Sequence, residues 1–169
     1  GGDISGVLRF SIQWGPENEN DFDAHCIEPN KNEIYFMNKG RRHPSSGMLD
    51  VDIIQPSRQT SDGIAVENIT YDDVRAMPEG KYKFFVYNYS YNGGRSGFTA
   101  EIEFDGQIYS FEYAKELRQS ENVVVAEVDY TRSSGFKITE KIPSSMSSRK
   151  IWNLDTNQFH PVQVLMMSP

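Results

Sequence analysis

The stretch Val7-Leu8-Arg9-Phe10-Ser11-Ile12-Gln13-Trp14 decides the fold class. Leu8, Phe10, Ile12 and Trp14 fall on one side of an extended chain, and Arg9, Ser11 and Gln13 on the other. A period of two marks a strand with one buried and one wet face, as in antiparallel sheets. The same reading extends outward along the chain. Beyond the turn-rich Gly15 to Asn20, Asp21 to Ile27 reads as a strand, and Pro29 to Asn32 turns the chain into Glu33 to Met37. A polar, basic loop over Asn38 to Gly47 precedes a strand at Met48 to Ile54. A second loop, Gln55 to Gly63, precedes Ile64 to Tyr71. Met77 to Gly80 launches the strongest strand, Lys81 to Tyr89. Phe98 to Phe104 and Gln107 to Tyr113 form a hairpin about Asp105-Gly106, a pair suited to a turn with positive φ. Asn122 to Tyr130 closes the series. Asp72 to Met77 and Ala114 to Gln119 each read as one turn of helix.

These segments predict an all-β chain, an antiparallel β-sandwich of about eight to ten strands with a C-terminal appendage. The sandwich is expected over residues 1–130, a Ser-rich linker over 131–150, and an apolar segment over 151–169 that docks back on the sandwich. Aromatics make up 12% of the 169 residues, which suits pleated, half-buried surfaces. The net charge of -7 lacks the basic footprint of a nucleic-acid binder. No apolar run approaches the ~18 residues of a membrane span. The single cysteine, Cys26, leaves no intramolecular disulfide and no Cys-rich zinc site. Gly1-Gly2 and the abrupt end at Ser168-Pro169 point to a piece of a longer polypeptide, whose remainder or a protein partner it would serve. The compartment is not legible.

The chemistry concentrates in two acidic stretches. In Asp21-Phe22-Asp23-Ala24-His25, alternation sets Asp21, Asp23 and His25 on one face, spaced about 7 Å apart. Leu49-Asp50-Val51-Asp52-Ile53 repeats the pattern with Asp50 and Asp52. If the two strands are neighbours, four carboxylates meet, and side-by-side carboxylates need a cation to offset their repulsion. Hard oxygen donors of this kind suit Ca²⁺. A solvated sheet face is the other reading of the same alternation. His25 is read as a supporting residue, since zinc takes more nitrogen or sulfur. A metal-free alternative places a glycan or protein ligand on the Tyr- and Asn-rich 87–95 region, through Tyr87, Tyr89 and Arg95. A third reading is a hydrolase using Asp23, His25 and Asp50, although no nucleophile elbow, P-loop or dinucleotide fingerprint is present. Gly40-Arg41-Arg42-His43-Pro44 is a basic loop suited to an anion or to plain solvent.

Several motifs in order carry a resemblance. Trp14, Asp21-x-Asp23-x-His25, Glu28-Pro29-Asn30, Glu33-Ile34-Tyr35 with Asn38, Ser46-Gly47-x-Leu49-Asp50-Val51-Asp52, Glu67-Asn68-Ile69 and Pro78-x-Gly80-x-Tyr82-x-Phe84-x-Val86 are together similar to the bacterial YfaP-like family, over about residues 7–113. That resemblance implies a β-sandwich module and no defined activity. It adds Glu67 to the candidate metal ligands, and Asn68 and Asn38 to the supporting positions. Glu67 and Asn68 alternate, so at most one faces the acidic cluster unless a bulge intervenes. More distantly, Asp21-Phe22-Asp23-Ala24 resembles the Asp-x-Asp motif of the calcium-binding TerD proteins of tellurite resistance, which implies Ca²⁺ by analogy. The chain departs from that pattern at His25, where a small hydroxyl residue is usual. It departs from the YfaP-like one in the insertion Gln55 to Ala65.

Overall fold

A computed structural model describes residues 6–15, 20–53, 65–94 and 96–148, without the side chains of 51–53 and 148. Eleven strands are found among them: β1 (Leu8–Trp14), β2 (Asp21–Ile27), β3 (Glu33–Ile34), β4 (Gly47–Ile53), β5 (Ala65–Tyr71), β6 (Gly80–Ser90), β7 (Phe98–Phe104), β8 (Gln107–Tyr113), β9 (Asn122–Thr131), β10 (Gly135–Glu140) and β11 (Ser144–Ser148). They form two antiparallel sheets, a six-stranded one in the order β11-β8-β7-β1-β5-β4 and a five-stranded one in the order β10-β9-β6-β2-β3. The sandwich expected from alternation is present. No helix among the described residues is long and apolar enough to cross a membrane.

Alternation places the core as expected. Leu8, Phe10, Ile12 and Trp14 of β1 are buried with Phe22, Ala24 and Cys26 of β2 and Tyr82, Phe84 and Val86 of β6. Phe10 and Phe84 meet from opposite sheets with ring centroids 4.9 Å apart, and Trp14 meets Phe22 at 5.4 Å. Each fully buried ring of this kind contributes roughly 2–3 kcal/mol through area removed from water. The β7–β8 hairpin turns on Asp105 and Gly106, with φ of 52° and 76°, the conformation that a two-residue turn between twisted strands requires.

Three expectations change. Residues 131–148, read as a linker, instead carry the end of β9 and all of β10 and β11, which pair with β9 and β8. The sandwich therefore runs on to Ser148, and the segment 151–169 lies outside the described residues. Glu33 to Met37 keeps only two strand residues before a 3-10 turn at Phe36–Asn38. Of the two helical turns, Asp72 to Met77 holds a 3-10 turn at Val74–Ala76, capped by the Asp73 side chain on Arg75 N, whereas Ala114 to Gln119 holds no helix.

Candidate functional site

The two Asp-x-Asp strands are not neighbours. β2 lies in the five-stranded sheet between β6 and β3, and β4 is the edge of the six-stranded sheet beside β5. Asp50 is exposed and pairs in register with Asn68. Leu49 and Ile69 face the core, so Asp50 and Asn68 face outward from the far sheet. Asp52 sits opposite Val66 in the same ladder, and its side chain lies outside the described residues. The four-carboxylate site is therefore not assembled. Among the described residues, no three Asp, Glu, His or Cys side chains are gathered to hold a metal ion, so the donor set does not fit the calcium that the resemblance implies. Asp50 also stands apart from Asp23 and His25, which removes the third member of the hydrolase reading.

What the fold does assemble is the outer face of the five-stranded sheet. Along β2, Asp21, Asp23 and His25 point away from the core, and along β6 so do Lys83, Phe85, Tyr87 and Tyr89. The register sets His25 opposite Phe85 and Asp23 opposite Tyr87, with a bulge before Asp21 meets Ser90. A row of acceptors thus runs beside a row of rings. His25 lies between Tyr35 and Phe85, stacked at 5.2 and 4.7 Å, with Tyr87 edge-on at 5.7 Å. Tyr87 is half-buried, and Tyr89 beyond it is 62% exposed. Arg95 lies outside the described residues.

The imidazole has a defined tautomer. Its Nδ1 is 2.7 Å from Glu33 Oε2. A carboxylate oxygen only accepts, so Nδ1 carries the proton and Nε2 presents a lone pair. Burial lowers the His25 pKa, against the raising effects of the Glu33 hydrogen bond and charge, which favours the neutral ring. Nε2 is buried and has no hydrogen-bond partner among the described residues. Asn38 holds this arrangement from below. Its Oδ1 accepts from Tyr35 N at 3.0 Å, and its Nδ2 donates to Glu33 O at 2.9 Å, which fixes the turn that carries both partners of His25.

Asp23 is only 6% exposed, and its side chain makes no hydrogen bond among the described residues. Burial, and then the charge of Asp21, push its carboxyl up to about 7. Burial also raises Asp21. Glu67 approaches from the other sheet. It faces inward from β5 and accepts from Ala24 N at 2.8 Å, on the stretch of β2 that the two-residue β3 leaves uncovered. Burial pushes Glu67 up to about 8; the Ala24 hydrogen bond opposes that, while Asp23 and Asp21 add to it. Of the expected ligands, Asp21, Asp23 and Glu67 therefore share one corner. Asn68 faces away, where its Oδ1 accepts from Ser11 Oγ beside Arg9, itself paired with Glu101 and Glu103.

Sequence reasoning missed Glu33, Tyr35 and Phe85 as members of this face. The signal for Phe85 was present in the outward half of Lys81 to Tyr89, where it stands with Tyr87 and Tyr89 on the side expected to be wet. It also missed a buried network at the adjoining corner. The Glu28 carboxylate accepts from Asn32 Nδ2 at 2.9 Å, from Tyr71 Oη at 2.7 Å and from Ser45 Oγ at 2.5 Å. Gly47 is required there, because a Cβ would stand 2.4 Å from Ile34 Cδ1 and 2.7 Å from the Tyr71 ring. With its oxygens met by neutral donors, this network holds the corner together; Asn32 Nδ2 also reaches His43 Nδ1 at 3.0 Å, and His43 Nε2 is buried without a partner among the described residues.

Comparison of the chain with family models, curated proteins and solved structures finds no match. What the site does follows from its chemistry.

Proposed function

We propose that this domain is a non-catalytic recognition module that holds its ligand on the outer face of the five-stranded sheet, over Asp23, His25, Phe85 and Tyr87. One observation carries the reading. His25 Nε2 on that face is buried with no hydrogen-bond partner among the described residues, and the neighbouring Asp23, 6% exposed, makes no side-chain hydrogen bond there. They lie against a continuous row of rings. Leaving a buried acceptor unmet costs about 1–3 kcal/mol, and a ligand that supplies donors regains it. Half-buried Tyr and Phe rings supply contact area at little conformational cost. On the outer face of the six-stranded sheet Arg9, Ser11, Asn68, Glu101 and Glu103 are joined by hydrogen bonds, and one hydroxyl, Ser110 Oγ opposite Glu101, is buried without a partner among the described residues.

The test uses a library of small polar and aromatic fragments, followed by amide chemical shifts. Hits are expected to move the signals of residues 23–25, Tyr35 and 85–89, and to lose their effect in Tyr87→Ala with the rest of the spectrum unchanged. Hits confined to Arg9, Asn68 and Glu101 would sink the reading.

A further inference from the structure

We infer that the ligand of this face is an extended basic segment of a partner protein, with ammonium or guanidinium groups that lie between the Asp21–Asp23–His25 row and the Phe85–Tyr87–Tyr89 row. The inference rests on the recognition reading above and names its substrate class.

The polar groups of the β2 row are all acceptors. Asp21 and Asp23 are acceptors once ionised, Asp23 from about pH 7 upward, and the His25 proton is committed to Glu33 through Nδ1, which leaves Nε2 as a lone pair. A ligand made to match must therefore bring donors and few acceptors. That describes a cationic side chain better than a sugar, whose hydroxyls ask for both. The second row agrees, because aromatic faces attract ammonium and guanidinium groups, most strongly where water is reduced. This protein's own lysines already use that contact nearby. Lys83 Nζ stands 5.9 Å from the centroid of the Phe85 ring, and Lys39 Nζ stands 4.5 Å from that of Phe36. Spacing gives a third match. Outward side chains along β2 and β6 recur about every 7 Å, the repeat of alternate side chains in an extended peptide. Two or three basic residues at alternate positions would thus meet Asp21, Asp23 and His25 in turn. The chain's net charge of -7 draws such a segment in.

The test titrates an acetylated and amidated Lys-Gly-Lys-Gly-Lys peptide into the folded domain, followed by amide shifts. Cellohexaose and the corresponding Glu-Gly-Glu-Gly-Glu peptide serve as comparison probes. The basic peptide is expected to move residues 21–25 and 85–89, and to bind about tenfold more weakly to Asp23→Asn and to Tyr87→Ala. Asp50→Asn removes the same charge from the far sheet and should change binding by less than about twofold. Asp23→Asn is nearly isosteric, so its loss cannot be assigned to misfolding. Equal weakening by Asp50→Asn would reduce the effect to net charge and overturn the inference. So would absence of binding by the basic peptide. Cellohexaose binding alone on this face would overturn the ligand class and leave the recognition face standing. Fragment hits that avoid the face remove both.

Discussion

Burial holds Asp23 near 7 and Glu67 near 8, against usual values of 3.8 and 4.5. Both groups therefore bind a proton more tightly in the folded chain than in the unfolded one. The stabilisation from their protonated forms is complete below about pH 4 and is lost as pH rises through 7 and 8. Unfolding free energy measured by urea between pH 5 and 8 should fall with a component that Asp23→Asn and Glu67→Gln each reduce. An unchanged pH slope in both variants would mean that these carboxyls titrate normally. Glu67 allows a sharper contrast, because Gln keeps an oxygen for Ala24 N and Ala does not. Glu67→Ala is expected to destabilise by about 1–3 kcal/mol at pH 5, while Glu67→Gln at pH 8 should match or exceed the parent. Equal losses in the two variants would show that the Ala24 hydrogen bond is of no account.

At the scale of elements, alternation revealed which residues face the core but not which strands share a sheet. Leu8 to Trp14 and Lys81 to Tyr89 could be read locally, because burial on one face leaves a period of two in the side chains themselves. The Asp105-Gly106 hairpin was legible for the same local reason. Whether Asp23 and Asp50 share a sheet depends on pairings between residues far apart in the chain, which no local pattern records. Glu67 was reached through motif order, and its inward orientation became visible only once β5 was placed between β1 and β4. β10 and β11 escaped notice because Ser144-Ser145-Met146-Ser147-Ser148 has the composition of a linker. As an edge strand, β11 needs little apolar content beyond its backbone pairing with β8. A chain ended at residue 143 should thus be less stable and more prone to aggregate than one ended at 148, since β8 would become an open edge. Thermal melting and light scattering compare the two; identical behaviour would show that β11 contributes nothing.

For the whole molecule, the sandwich separates two kinds of polar surface. On the six-stranded side, Arg9 is 2% exposed and its guanidinium is held by Glu101 and Glu103, so this buried cation has two carboxylate partners. On the five-stranded side, Glu127 is paired with Lys81 and Lys141, while His25 Nε2 is buried without a partner among the described residues. The division also bears on metal binding, because Asp50 cannot join Asp21 and Asp23 across the core. Millimolar Ca²⁺ is expected to leave the melting temperature unchanged, as a ligand stabilises only by binding the native state. A rise that Asp23→Asn abolishes would place a cation at the β2 corner and displace the basic-segment reading.

Cys26 lies on the core face of β2 beside the Glu28–Tyr71 network, fully buried, with Sγ 3.3 Å from Tyr71 Oη. Burial pushes its thiol well above the ordinary range, so the folded chain presents no thiolate to an alkylating reagent. As the chain's one sulfhydryl, it reacts only during excursions in which β2 parts from its neighbours. The alkylation rate is therefore a clock for local opening, one that a ligand bound across β2 and β6 would slow, whatever the ligand's identity.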